Sequence, residues 1–180
     1  MKNLGCFLVL LLFSFTTSAH ASDLTLFGGM HRPGKLSLQR VGQAGPGLTD
    51  PANFGVFGIR YTHGRFSEST FAYSPNFIEG QTKAILLNSN LILHVPLPKV
   101  RPYGTVGLGS VITKGDGLAD VGAKFALNYG GGVKANIAGP LGARIDARGY
   151  AIPSFGREGL TIQDQTLYLF EVTIGLMFSW

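Results

Sequence analysis

Apolar and polar side chains alternate along the C-terminal stretch 166–180. One parity is entirely apolar or aromatic and consists of Tyr168, Phe170, Val172, Ile174, Leu176, Phe178 and Trp180. The other parity mixes small, apolar and polar residues and includes Glu171 and Thr173. A period of two is typical of a β-strand, because successive side chains point to opposite faces. A tilted strand needs about 9–11 residues to cross a bilayer, so this stretch is long enough to span one.

The same alternation predicts seven earlier strands. Their predicted bounds are Asp23–Met30, Phe54–Thr62, Phe66–Tyr73, Thr82–Val95, Arg101–Thr113, Val121–Ile137 and Leu141–Ile152. The connections alternate between long stretches and short turns. The long ones are 31–51, 74–81, 114–120 and 153–165, and the short ones centre on Gly64, Leu97 and Gly139. An even strand number with short periplasmic turns and longer external loops is typical of bacterial transmembrane barrels.

These patterns predict an all-β fold, a closed antiparallel up-and-down transmembrane barrel of eight strands. Backbone N–H and C=O groups in lipid need partners within the protein, so the sheet has to close. Eight strands give an interior that side chains just fill. We therefore expect the apolar parities to face lipid and the mixed parities to face the lumen. A soluble, lipocalin-like ligand-binding barrel is an alternative, and it would turn the aromatic parities inward.

Residues 1–21 have the pattern of a cleaved secretory signal peptide, with Lys2, an apolar core over 7–15 and the small-x-small site Ala19-His20-Ala21. We expect residues 22–180 to form the barrel domain. Cys6 is the only cysteine and precedes the apolar core, whereas a lipidated cysteine follows it. The mature chain is therefore expected to have no disulfide and no cysteine metal site.

The composition fits a barrel whose outer wall is apolar and whose inner wall carries small or polar side chains, since only 14% of residues are charged and 26 are glycine. The formal net charge is +5. Because no run of Lys and Arg and no basic helix is present, we expect no nucleic-acid partner.

Several charged residues fall on the parities predicted to face the lumen. They are Arg60, Lys124, Lys134, Arg144, Asp146, Arg148 and Glu171. An isolated buried charge costs several kcal/mol, so these groups must be paired or hydrated. We expect salt bridges that fill the lumen, with Glu171 bonded to Arg148 or Arg144. A weakly anion-preferring pore is the alternative, since five bases outnumber two acids.

The first predicted external loop carries a cluster of basic and histidine residues with no acid before Asp50. The cluster is His31, Arg32, Lys35 and Arg40. Because Arg and Lys bind phosphate well, one interpretation is contact with lipopolysaccharide phosphates. The other is incidental charge on a solvated loop.

Three internal segments and the C-terminus resemble small outer-membrane β-barrel proteins of the OmpA/OmpX type. They are 102–109 (PYGTVGLG), 129–133 (YGGGV), 144–150 (RIDARGY) and 175–180 (GLMFSW). The resemblance implies an outer-membrane protein whose outward Ile174, Leu176, Phe178 and Trp180 form the signal for the assembly machinery. The family usually ends in Phe, whereas this chain ends in Trp180. No peptidoglycan-binding domain follows the barrel in the sequence, so an anchoring role is not expected.

Some barrels of this size are lipid A deacylases with a His-x-Ser pattern, but His63 is followed by Gly64 and Arg65. His94 lies near Asn90 with no nucleophile close in sequence. Gly130-Gly131-Gly132 has no helix after it, so it is not expected to cradle phosphate. Glycine there is expected to let the wall bend or a large side chain cross the lumen.

We therefore expect a monomeric structural barrel that supports membrane integrity, has lipid and lipopolysaccharide as partners, and offers external loops for surface contacts. No catalytic residue, cofactor or metal is expected. A small passive pore and a lipid-modifying enzyme are the alternatives. A measurable conductance would favour the pore, and a His/Ser or Ser/Asp pair at the barrel rim would favour the enzyme.

Overall fold

The structure, a computed structural model, describes residues 22–34, 52–78, 82–95, 97–115, 120–153, 155 and 166–180. It has eight β-strands, β1 Asp23–Pro33, β2 Phe54–His63, β3 Ser67–Phe77, β4 Thr82–His94, β5 Val100–Gly115, β6 Ala123–Ala138, β7 Leu141–Ile152 and β8 Leu167–Ser179. The predicted signal peptide lies outside the described residues. Within them, no helix is long and apolar enough to cross a membrane.

The eight strands form one closed antiparallel barrel. Each strand pairs with the next in sequence, and β1 pairs with β8. This closing seam runs from the pair Asp23↔Ser179 to the pair Pro33↔Leu169. Ser22 and Trp180 continue it, because the amide N of each donates to the carbonyl O of the other at 3.0 Å. The sheet therefore has no open edge there, which confirms the predicted eight-stranded closed barrel.

The apolar parities face outward, as predicted. On β8, Phe170, Ile174 and Phe178 are 51%, 65% and 47% exposed, whereas the intervening Glu171 and Thr173 are buried. This inside-out arrangement is the one that a transmembrane barrel needs, because its outer wall contacts acyl chains. The inward-aromatic arrangement of a soluble ligand-binding barrel is therefore wrong for this chain.

Three strands reach further toward the long connections than the sequence predicts. β1 continues past Met30 to Pro33, β3 continues past Tyr73 to Phe77, and β5 continues past Thr113 to Gly115. The backbone ladder continues there although the apolar alternation weakens, because pairing does not require an apolar side chain. β3 carries a bulge between Ser74 and Phe77.

The β2–β3 ladder stops before the end of either strand, at the pair Phe57↔Tyr73. Beyond that pair, Ser74 Oγ donates to the carbonyl O of Gly55 at 2.7 Å. The side chain of Ser74 thus supplies a partner to a backbone carbonyl group that the ladder no longer serves.

Glycines on the inner wall leave room for large lumen side chains. A Cβ atom at Gly130 would lie 3.1 Å from Cγ of Arg148, and one at Gly132 would lie 2.8 Å from Cζ of Tyr103. The Gly130-Gly131-Gly132 run therefore lets side chains cross the lumen, which is one of the two roles expected for it. At the short turns, Gly64 and Gly139 have φ values of 66° and 54°, where glycine avoids strain.

We predict that Gly132→Ala lowers stability by about 1–3 kcal/mol, the usual cost of overpacking. The new methyl group would overlap the Tyr103 hydroxyl and the carbonyl O of Ile145, and the latter belongs to backbone that cannot move aside cheaply. The measurement is the temperature at which the folded band disappears on a detergent gel. Gly104→Ala is the matched control, because a Cβ there meets nothing closer than 3.9 Å. Equal melting of the two variants would contradict the prediction.

Candidate functional site

The lumen is divided into two layers along the barrel axis. One, here called the polar layer, lies toward the chain termini and the short turns. It comprises Asp23, His31, Arg60, Glu68, Tyr103, Lys134, Arg144, Asp146, Arg148 and Glu171. The other, here called the apolar layer, lies toward the long connections. Its larger side chains are Phe54, Val56, Phe77, Ile78, Leu86, Val111, Tyr150, Ile152, Phe155, Leu167 and Leu169. Phe27 of the same buried cluster instead contacts the polar layer, with its ring centroid 3.9 Å from Cζ of Arg60.

Asp146 of β7 is the centre of the polar layer. Its carboxylate accepts hydrogen bonds from Arg60 Nη1 at 2.8 Å, Arg144 Nε at 2.9 Å and Arg148 Nη2 at 3.0 Å. The Tyr103 hydroxyl also donates to it. One carboxylate thus neutralises part of the charge of three guanidinium groups through charge-assisted bonds, which are about twice as strong as neutral ones.

Two further acids complete the pairing on the β3 side and near the termini. Glu68 lies 2.6 Å from Arg144 Nη1 and accepts from Arg148 Nη2, also at 2.6 Å. Nearer the termini, Lys134 Nζ donates to Asp23 Oδ2 at 2.7 Å. Through these contacts β1, β3, β6 and β7 are joined by side chains as well as by the backbone ladder.

Glu171 of β8 lies in the lumen, as predicted, but the prediction of its partner is wrong. It accepts from Arg60 Nη2 at 2.5 Å and lies 2.9 Å from His31 Nε2. Arg148 is its direct neighbour across the β7–β8 ladder. The Arg148 guanidinium instead crosses the lumen to Glu68, because a long side chain on a narrow barrel reaches the opposite wall.

The charges of the polar layer balance. The acids are Asp23, Glu68, Asp146 and Glu171, and the bases, His31 aside, are Arg60, Lys134, Arg144 and Arg148. The predicted excess of five bases over two acids is therefore wrong. Asp23 and Glu68 were missed, although both stand on the parity opposite to outward apolar residues of their strands. Lys124 is only half-buried and takes no part in the network.

The structure does not bring together the residues predicted to contact lipopolysaccharide phosphates. His31 is not in a loop; it is fully buried on β1, and its ring lies 5.1 Å from that of Phe54. Arg32 is the next residue on β1 and points outward, exposed. Lys35 and Arg40 lie outside the described residues.

The four residues of the expected assembly signal share one face. Ile174, Leu176, Phe178 and Trp180 point outward, with exposures of 65%, 72%, 47% and 59%. They form a continuous apolar strip at the C-terminal end of the closing seam.

A His/Ser pair does lie at the barrel rim. Across the β2–β3 turn, His63 Nε2 is 3.1 Å from Ser67 Oγ. The sequence pattern missed it because the two residues are four apart and meet only through hairpin pairing. The Tyr61 ring stacks on His63 at 5.4 Å, and no carboxylate of the described residues bonds to His63. His94, by contrast, is half-buried against the Tyr103 ring at 5.6 Å. In the part of the chain that the structure describes, no group of residues is arranged to hold a metal ion.

A closed barrel with an apolar exterior and a charged interior defines a transmembrane β-barrel protein. The sequence matches the outer membrane protein beta-barrel domain over residues 7–178, and the chain belongs to that family. This family membership indicates an outer-membrane protein. A search of curated proteins finds no match.

Solved structures with the same fold include three bacterial proteins. Neisserial surface protein A gives a TM-score of 0.65 at 13% identity, with 88% of this chain and 97% of that chain covered. The outer membrane protein OprG of Pseudomonas aeruginosa gives 0.55 at 12% identity, covering 89% and 97%. The N-terminal β-barrel domain of OprF from the same organism gives 0.50 at 15% identity, covering 88% and 98%. Likeness at such low identity shows the fold alone.

We predict that Asp146→Asn destabilises the barrel by about 3–5 kcal/mol, because it leaves three buried guanidinium groups short of a counter-charge. The measurement is urea unfolding in lipid vesicles, followed by the fluorescence of Trp180, the only tryptophan. Lys124→Gln is the control and should stay within about 0.5 kcal/mol of the wild type. An Asp146→Asn midpoint equal to that of the control would contradict the central role of Asp146.

Proposed function

We propose that this protein is a structural outer-membrane barrel that contributes to membrane integrity, has a lumen that does not conduct, and uses its external loops for surface contacts. The observation that carries the proposal is the filling of the lumen by two different layers in series. Each layer opposes the passage of ions for a different physical reason.

The polar layer supports the proposal through its charge balance and its burial. The side chains of the paired residues are between 0% and 8% exposed. A passing ion would have to separate buried pairs, and breaking such a pair costs about 3–5 kcal/mol. Because acids and bases balance, the layer also lacks the excess of positive charge on which the anion-preferring pore depends.

The apolar layer supports it through the packing of aromatic rings. The ring centroids of Phe54 and Phe77 are 4.9 Å apart, and those of Phe77 and Phe155 are 6.3 Å apart. Phe77 and Phe155 are fully buried. A hydrated ion that entered this layer would lose water and meet few polar partners, chiefly the buried amides of Asn88 and Asn128, which is unfavourable.

We predict that the purified wild-type barrel gives no conductance steps in a planar lipid bilayer. Arg144→Ala with Arg148→Ala should also stay silent, because the apolar layer remains; Phe54→Ala with Phe77→Ala should stay silent because the polar layer remains. Only the quadruple variant is expected to conduct. Regular steps from the wild type would contradict the proposal and favour the pore.

The His63–Ser67 contact is the specific observation that favours a lipid-modifying enzyme as a second candidate. A serine activated by a neighbouring base is the usual nucleophile of acyl transfer. If the barrel is structural, the Ser67→Ala variant should restore detergent resistance to a deletion strain as fully as the wild-type protein does. The outer-membrane lipids of the two complemented strains should also have identical masses. A lipid species that appears only with Ser67 intact would favour the enzyme.

The partners in this proposal are outer-membrane lipid, lipopolysaccharide and the assembly machinery, with the barrel as a monomer and its leader removed. The outward position of Arg32 at the loop end of β1 supports contact with a lipopolysaccharide phosphate. The exposed strip that ends at Trp180 supports recognition of the last strand during assembly.

A further inference from the structure

The fully exposed charged side chains of the described part of the barrel all have one sign. Among the described residues, the exposed charged side chains are Arg32, Arg65, Lys83, Lys99 and Lys114. Four acids are buried in the polar layer, and the remaining described acid, Asp120, is only partly exposed. Within the described residues, exposed positive charge therefore lies on the outer surface near the two ends of the barrel.

Two of these cations are direct neighbours. Lys83 of β4 and Lys114 of β5 are partners across the ladder. Both are exposed and stand on the outward parity, since the adjacent Ala84 and Thr113 are buried. Directly opposed residues have Cβ atoms about 4.5–5.5 Å apart, and like charges at that distance destabilise a sheet. None of the ion pairs between described residues includes either ammonium group.

The lysine pair stands at the edge of the apolar wall. The next outward pair toward the short turns is Ile85↔Ile112. From Ile85 to Leu93 the outward parity of β4 is apolar except at Ser89, and Val95 follows the strand, a length that matches the roughly 9–11 residues of a transmembrane strand. Since the long connections of such barrels are external, the pair lies at the head-group level of the external leaflet.

We propose that Lys83 and Lys114 together bind a phosphate group of a lipid in the external leaflet. One phosphate between two ammonium groups relieves their repulsion and accepts charge-assisted hydrogen bonds from both. The anion is assigned to a lipid because the two side chains point away from the barrel, just above the apolar band. This site is separate from Arg32, and it does not depend on whether the lumen conducts.

The test uses the complete mature chain, refolded in uncharged micelles without phosphate. The probes are bis-phosphorylated lipid A, the same lipid without its phosphates, and inorganic phosphate. Two double variants are compared. One combines Lys83→Gln and Lys114→Gln; the control combines Arg65→Gln and Lys99→Gln and removes the same amount of positive charge from the opposite end of the barrel. We expect the first pair of substitutions to weaken binding of the phosphorylated lipid at least tenfold and the control pair to change it less than twofold. Lipid without phosphate should not distinguish the variants.

The second measurement is the melting temperature, and the difference between Lys83→Gln and the wild type should change sign when the phosphorylated lipid is added. Without lipid, Lys83→Gln should raise the melting temperature, because it removes a like-charge contact; with the phosphorylated lipid, the wild type should gain more stability than the variant. Unchanged lipid binding by the double variant would overturn the proposal. Equal stabilisation by inorganic phosphate would overturn the assignment to a lipid. A lower melting temperature of Lys83→Gln without lipid would overturn it too, because an acid of this chain would then already neutralise the pair.

Discussion

This structure depends on one constraint: buried charges must be paired with opposite charges inside the narrow lumen of an eight-stranded barrel. A carboxylate or guanidinium group that leaves water loses several kcal/mol, and only close opposite charges restore it. Asp146 meets this condition for three arginines at once, with bonds of 2.8 to 3.0 Å to Arg60, Arg144 and Arg148. Inner-wall glycines are part of the same solution, because Gly130 and Gly132 leave the space that Arg148 and Tyr103 occupy.

The acids and bases of the described residues are divided unequally between the lumen and the outer surface. The chain has ten acids and fifteen Lys and Arg residues. Four of the acids are consumed in the polar layer with four bases, and the exposed charges that remain among the described residues are cations. Among the described residues these cations lie near the two ends of the barrel, Arg32, Lys83 and Lys114 toward the long connections and Arg65 and Lys99 at the short turns.

Much of the fold could be predicted from the sequence, because alternation reports directly which face of a strand meets lipid. β8 is the clearest case, since every residue from Tyr168 to Phe178 on one parity is apolar, and the structure exposes that parity. The same signal was weaker where apolar residues were few. The alternation therefore predicts that β1 ends before His31 and β3 before Phe77, and it places His31 in a loop although the residue is buried on β1.

The partners within the lumen could not be predicted by the same reasoning. Parity tells which side chains point inward, but not how far a flexible guanidinium group reaches across the barrel. Arg148 is level with Glu171 on the next strand and yet bonds to Glu68 on the far wall. Glu68 shares its parity with Thr70 and lies opposite to Phe71, but β3 has so few apolar residues that its alternation is a weak signal.

The polar layer also restricts the register in which the barrel closes. A slip of one residue between β1 and β8 would make the side chains of Glu171 and Thr173 face the lipid, because side chains alternate between the two faces of a strand. A slip of two residues would keep them inside but would move Glu171 away from His31, its partner across the seam. An apolar lumen would tolerate the second slip far better, since one aliphatic side chain replaces another with little loss. Well-packed apolar residues often stabilise as much as a buried ion pair, so the advantage of the charged lumen lies in the single register that it allows.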